Sequence, residues 1–312
     1  MIIDRTGLGS AAKQADNIPS HSGSTCNKDT TAETEYTIMM TVAGPIHQRN
    51  KMENIMLNKL KKAISVKGNA VGTFLGVSTP SIVEILGYTG LDFVVIDTEH
   101  GPYDTMPVSD LIRASDGSGM ASVVRVADVT HKEIQRAVDN GAEGIIIPCL
   151  RKADDFRQAV ELCKFPPLGN RGYIKARGSG FGNEEWAEGS LEEYMHNSNE
   201  KVLLLPQCET REALEDIEEI VNIKGIHGIF IGPFDLSISM GIPGQFDAPQ
   251  FRQAINRVLT ACKEAEKLCM IFASSVDETK RYMDQGFDAI ANSIDTIMFK
   301  KVYTEMMKNI RG

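Results

Sequence analysis

The 312-residue sequence has no pair of cysteines at C-x-x-C spacing, no cluster of lysine and arginine, and no run approaching the roughly 20 apolar residues that a bilayer requires. Without the paired thiols, the six cysteines read as buried free thiols of a reducing compartment. With a formal net charge of −9 and no basic stripe, the chain offers phosphate backbones nothing to hold, which excludes a nucleic-acid partner. The first thirty residues have neither a hydrophobic targeting core nor an arginine-rich, acid-poor face, so a cytoplasmic protein with no membrane partner is expected.

What is present is a globular composition, 42% hydrophobic and 24% charged with 27 glycines, in a length that suits a single large α/β domain. Residues 1–51 are rich in Ser, Thr, Asn, Asp and Gly and keep no period, which predicts a flexible extension. Residues 52–312 form the expected domain. An amphipathic helix precedes Lys67-Gly68-Asn69, and eight short apolar runs follow at 71–77, 93–97, 122–126, 144–148, 202–207, 228–232, 269–273 and 289–293. Helical patterns alternate with them at 81–88, 108–115, 132–140, 153–163, 211–221, 250–267, 277–285 and 297–310. Strands apolar on both faces imply a parallel sheet covered by helices. Gly76-Val77-Ser78-Thr79-Pro80 is not the glycine-rich phosphate loop of an open nucleotide-binding sheet, so a (β/α)8 TIM barrel is favoured. The connection over residues 165–201, which holds the only tryptophan, Trp186, is too long for a plain barrel and reads as a functional or interfacial loop.

In a barrel the chemistry belongs at the carboxyl ends of the strands. Asp97, Glu99 and His100 follow the second run, Arg125 ends the third, Gln207 and Glu209 end the fifth, and Asp235 follows Gly232-Pro233-Phe234 after the sixth. Glu209 and Asp235, one β/α unit apart, suit a hard divalent cation, Mg²⁺ or Mn²⁺ with Co²⁺ as a further option, and Cys208 should point to the opposite side of its strand. His100 suits proton transfer, and Arg125 supplies a planar cation for a carboxylate or an enolate oxygen. Taken singly, each acid is more often a helix cap and each histidine a surface or core residue. Their convergence on four strand ends is what points to chemistry.

At these residues the chain resembles the HpcH/HpaI aldolase family, over about residues 57–307. The resemblance is carried by Gly72-Thr73-Phe74-Leu75-Gly76, Ile96-Asp97-Thr98-Glu99-His100, Val123-Val124-Arg125-Val126, Pro166-Pro167-Leu168-Gly169-Asn170-Arg171-Gly172 and Ile231-Gly232-Pro233-Phe234-Asp235. It implies metal held by Glu209 and Asp235, Arg125 at the enolate oxygen and His100 in proton transfer. It also implies Asp139 as the partner of that histidine, Gln207 in support of the metal, and the Gly232-Pro233-Phe234-Asp235 turn, through its backbone amides, as the seat of the substrate carboxylate. The activity implied is a class II pyruvate aldolase that reversibly cleaves a 4-hydroxy-2-oxo acid to pyruvate and an aldehyde through a metal-bound enolate. Oxaloacetate decarboxylation, macrophomate synthase-like chemistry and a non-catalytic barrel scaffold are the alternatives. The resemblance further implies a homo-oligomer, a hexamer being one candidate, joined through the C-terminal helix at 297–310. Asn292-Ser293 departs from the glycine common after the last strand.

Overall fold

A computed structural model describes residues 58–101 and 103–312, and the expected extension over residues 1–51 lies outside the described residues. Eight parallel strands close on themselves in chain order: β1 Ala70–Leu75, β2 Phe93–Asp97, β3 Ala121–Arg125, β4 Gly144–Ile147, β5 Leu203–Cys208, β6 Gly228–Ile231, β7 Leu268–Ala273 and β8 Ala289–Ile294, with β8 pairing back to β1. The helices are α1 Lys59–Lys67, α2 Pro80–Gly87, α3 Thr105–Gly117, α4 His131–Asp139, α5 Ala153–Cys163, α6 Leu191–Lys201, α7 Arg211–Glu215, α8 Ile217–Val221, α9 Pro233–Ser239, α10 Pro249–Glu264, α11 Val276–Gln285 and α12 Asp295–Arg311. The fold is the expected (β/α)8 barrel. No helix among the described residues is long and apolar enough to cross a membrane.

The two-residue period of each strand divides its side chains between two cores. Phe93 and Val95 join Phe74, Val123, Leu203, Leu205, Phe230 and Met270 inside the barrel. Val94 and Ile96 face outward with Ile145, Leu204, Cys208 and Ile271 against the helices. Gly72 on β1 is required by crowding, because a Cβ there would stand 2.4 Å from the carbonyl oxygen of Phe93. The amino end is closed by α1. Its cap, Asn58, accepts from the Lys61 amide and donates to the Glu143 and Lys201 carbonyls at 2.9 and 2.8 Å, while Leu60 enters the barrel core.

Three features differ from the periodicity. The helix expected over residues 211–221 breaks at Asp216 (φ −96°, ψ 8°), whose carboxylate is drawn to the Ala153 amide. The long connection contains α6, started by a reciprocal capping box between Ser190 and Glu193, whose residue types and spacing are visible in the sequence. Cys163, Cys208, Cys262 and Cys269 are buried free thiols as expected, whereas Cys149 is exposed because it lies in the loop after β4.

The long connection is tied down by two buried cations. Lys164 donates to the Asn199 carbonyl at 2.7 Å and to that of Val202. Arg171 lies 3.9 Å from the centre of the Phe165 ring and donates to Ser198 Oγ at 2.6 Å. The last helix behaves differently. Only Asp295 of α12 is buried, while Ile297, Phe299, Val302, Tyr303 and Ile310 are exposed. Beside it runs an apolar groove of about 780 Å³ over the outer faces of β1 and β8, between α2 and α11.

Burial pushes the Lys164 ammonium down to about 8 from its ordinary 10.5. Between those two pH values the unfolded chain binds the proton and the folded chain does not, so stability rises with pH. Lys61 and Lys267 are lowered by burial in the same sense. Urea unfolding from pH 7.5 to 10.5 is expected to show Lys164→Met losing, relative to wild type, a rise on the order of 3 kcal/mol; parallel curves would refute the buried ammonium.

Candidate active site

The inward series on each strand continues beyond the apolar core to the carboxyl end, and there it becomes polar. On β2 it runs Phe93, Val95, Asp97; on β3, Ala121, Val123, Arg125; on β5, Leu203, Leu205, Gln207 and then Glu209. Cys208 lies in the outer core, on the opposite side of β5 from Glu209, as expected. Asp97 and Arg125 are direct register partners.

That register sets a two-pronged ion pair. Arg125 donates from Nε to Asp97 Oδ1 at 2.8 Å and from Nη2 to Oδ2 at 2.7 Å. Its Nη1 stands 3.1 Å from Glu99 Oε2, and its Cζ lies 5.0 Å from the centre of the Phe74 ring. Burial opposes the charge on Arg125, but Asp97, Glu99 and Glu209 outweigh it and hold the guanidinium above its ordinary pKa. Asp97 Oδ1 also accepts from the amides of Glu99 and His100 at 3.1 and 3.4 Å, folding the loop that carries both.

Glu209 is buried, and both its oxygens are engaged. Oε1 accepts from the Cys149 amide at 2.6 Å and Oε2 from Gln207 Nε2. Cys149 reaches it in the left-handed region, at φ 62°, a conformation costly to a residue with a Cβ. Burial raises the Glu209 carboxyl, and the nearby charges of Asp235 and Glu99 raise it further, while the Cys149 amide and Arg125 oppose them. Gln207 Oε1 is buried with no hydrogen-bond partner. Gly232 leaves the space around this group open, because a Cβ there would lie 2.5 Å from Gln207 Nε2 and 3.0 Å from Glu209 Oε2.

Mutually repelling carboxylates beside an orphaned amide oxygen fit a hard cation. The Cys149 thiol, pushed up to about 11 by burial and the acids around it, is a poor ligand. Among the described residues no three side chains of His, Cys, Asp or Glu form a closed metal cage. Glu209 and Asp235 could supply two oxygen ligands to an ion that takes the rest from water and substrate.

A cavity of about 370 Å³ opens over this rim and brings together His100, Arg125, Gln207, Gly232, Pro233, Phe234 and Asp235. Asp235 projects from the first turn of α9. The His100 side chain is 71% exposed, with Nε2 3.9 Å from Glu99 Oε2. Asp139 is not brought to this rim within the chain. As the last residue of α4 it faces the amino end of the barrel, where burial raises its carboxyl and Arg171 opposes that rise, in a small polar cavity with Arg171 and Tyr194. Four participants escape sequence reasoning: Asp97 as the anchor of Arg125, the Cys149 amide, and the phenylalanines Phe74 and Phe272 that wall the cavity. The two-residue period would have placed both rings inside. Nothing in the sequence marks the Cys149 amide.

Residues 70–301 match the family model described as HpcH/HpaI aldolase/citrate lyase. A 4-hydroxy-2-oxo-heptane-1,7-dioate aldolase of Shigella sonnei is 30% identical over 246 residues, covering 79% of this chain and 92% of the relative. Among solved structures, the HpcH/HpaI aldolase of Desulfitobacterium hafniense aligns with a TM-score of 0.74 at 30% identity, over 81% of this chain and 96% of its own. Macrophomate synthase aligns at 0.70 and 27% identity, over 81% and 88%.

Removing one member of a buried pair strands the other. Asp97→Ala is expected to lower stability by about 3 kcal/mol in urea unfolding, and Asp97→Asn, which can still accept, by clearly less. Equal, small losses would show that the pair does not anchor Arg125.

Proposed function

Since the chain belongs to the HpcH/HpaI aldolase/citrate lyase family, we propose that this rim is the active site of a divalent-metal-dependent lyase that reversibly cleaves a 4-hydroxy-2-oxo acid to pyruvate and an aldehyde. The observation that carries this reading is the convergence of Arg125, His100, Gln207 and Asp235 on one cavity, with the destabilised Glu209 carboxylate at its edge. Glu209 and Asp235 would hold Mg²⁺ or Mn²⁺, which when bound supplies positive charge for the carboxylate and keto oxygens of the 2-oxo acid.

The chain's own groups do the rest. Arg125, fixed by Asp97, presents its cation to the oxygen on which charge develops as the C3–C4 bond breaks. His100 takes the proton of the C4 hydroxyl as that carbon becomes the aldehyde carbonyl, and the electron pair of the broken bond moves into the enolate of pyruvate. A proton returned to C3 completes pyruvate. Gln207 orients Glu209, and the backbone amides of Phe234 and Asp235, free at the start of α9, receive the substrate carboxylate.

The assembly is part of the proposal. The exposed apolar side chains of α12 and the groove beside it favour a homo-oligomer in which this helix is buried. Asp139, at the opposite end of its own barrel from His100, would then reach a histidine only from a neighbouring subunit.

With Mg²⁺ present, the protein is expected to release pyruvate from 4-hydroxy-2-oxo acids, and from oxaloacetate, which reaches the same enolate by losing CO₂. Glu209→Ala or Asp235→Ala should lower turnover by about 10³-fold or more with folding preserved, and chelation should abolish a rate that Mg²⁺ or Mn²⁺ restores. Full activity in either variant would discard the site. Light scattering should give a mass above that of one chain, and removing residues 297–312 should reduce it; a wild-type monomer would contradict the assembly.

A further inference from the structure

The cavity is divided by the order of the strands. Its polar groups come from β2, β3, β5 and the turn after β6: His100, Arg125, Gln207 and Asp235. The opposite half, from the turn after β6 through β7 and β8 to β1, presents Phe234, Phe272, Ile294, Ile297 and Phe74. The rings support one another. Phe272 lies 5.7 Å from Phe74 and 6.0 Å from Phe234 between centroids, and Phe234 is held edge-on by Phe246 at 4.9 Å. Phe234 is about half exposed, as the mouth of an apolar slot would be.

Charge is distributed in the same way. Among the described residues that line the cavity, Arg125 is the only lysine or arginine, and its Nε, Nη1 and Nη2 already face Asp97 and Glu99. Among the described residues, the apolar half contributes no His, Lys or Arg. Its polar members are two serines: Ser274, whose hydroxyl donates to Glu278 at 2.8 Å, and Ser293, placed there by a left-handed backbone at φ 59°. Among the described residues lining the cavity, a second carboxylate on the incoming molecule would lie against phenylalanine with no second cation to pair it, facing a rim already rich in acids.

We propose that the electrophile accepted by this site is an uncharged aldehyde with an apolar chain or ring, received by Phe272, Phe234, Ile294 and Ile297, and that an aldehyde bearing its own carboxylate is rejected. This rests on the lyase reading above. In the direction of synthesis, pyruvate loses one C3 proton to become the enolate, C3 bonds to the aldehyde carbonyl carbon as its C=O π bond opens, and a proton returned to that oxygen gives a 4-hydroxy-2-oxo monoacid with no other co-reactant.

The test uses the full chain with Mg²⁺ and two readouts. Exchange of the pyruvate methyl protons in D₂O, followed by NMR without aldehyde, reports enolate formation alone. Addition to pentanal and to 4-oxobutanoate, similar in length and different in charge, reports the slot. Pentanal is expected to be favoured in kcat/KM by about 100-fold. Phe272→Ala should lower that preference about tenfold, chiefly through KM for pentanal, and Phe272→Leu should restore most of it. Proton exchange accompanied by equal or better use of 4-oxobutanoate overturns the aldehyde assignment and leaves the lyase standing. A preference unchanged in Phe272→Ala overturns the placement of the slot. Absence of exchange removes the lyase reading, and this proposal with it.

Discussion

A guanidinium inside the mouth of a barrel is held there only if its charge is met at once, and in this protein the meeting is set by strand register. Asp97 and Arg125 are direct neighbours on β2 and β3, so their side chains point inward at the same height and close a two-pronged pair at 2.7–2.8 Å. The same carboxylate accepts two amides of the following loop, and so directs Glu99 and His100. One acid thereby fixes a cation, a neighbouring acid and a histidine. That economy depends on β1, β2 and β3 standing side by side, with Phe74 of β1 under the guanidinium.

The rim also accumulates conformations that are costly elsewhere. Cys149 and Ser293 both adopt left-handed backbone, one to aim an amide at Glu209 and the other to line the cavity. Gln207 buries an oxygen without a partner, and Glu209 is surrounded by acids that raise its carboxyl. Such expenditures concentrate where a ligand is to be received, and the barrel core beneath, filled by Phe230, Met270, Val95 and their neighbours, supplies the rigidity that sustains them. The surplus of negative charge among the described side chains is what a bound cation would relieve.

The exterior carries a second imbalance. The strands and the other helices bury their apolar faces against one another in the usual layered way, but α12 leaves its apolar side chains in solvent beside an uncovered stretch of β1 and β8. Ile297, in its first turn, also lines the cavity over the barrel rim. The packing of this helix and the shape of that cavity are therefore physically linked.

How much was legible before folding can be judged residue by residue. The short apolar runs and their alternation with helices determined the eight strands to within a residue or two, because such runs must be buried on both faces, whereas the barrel was favoured over an open sheet only by the missing glycine-rich loop after the first strand. The strand-end position of Arg125, Gln207, Glu209 and Asp235 was equally legible, since chain order alone puts them at one end of the barrel. Which atoms then meet was decided by tertiary structure: that Arg125 takes Asp97, that a loop amide at Cys149 takes Glu209, that Asp139 is directed to the other end, and that α12 stands exposed. The reason is geometric. A repeating pattern encodes which face a side chain occupies, but distances between strands, the path of a loop and the docking of a last helix arise only when the sheet closes and distant segments compete for the same space.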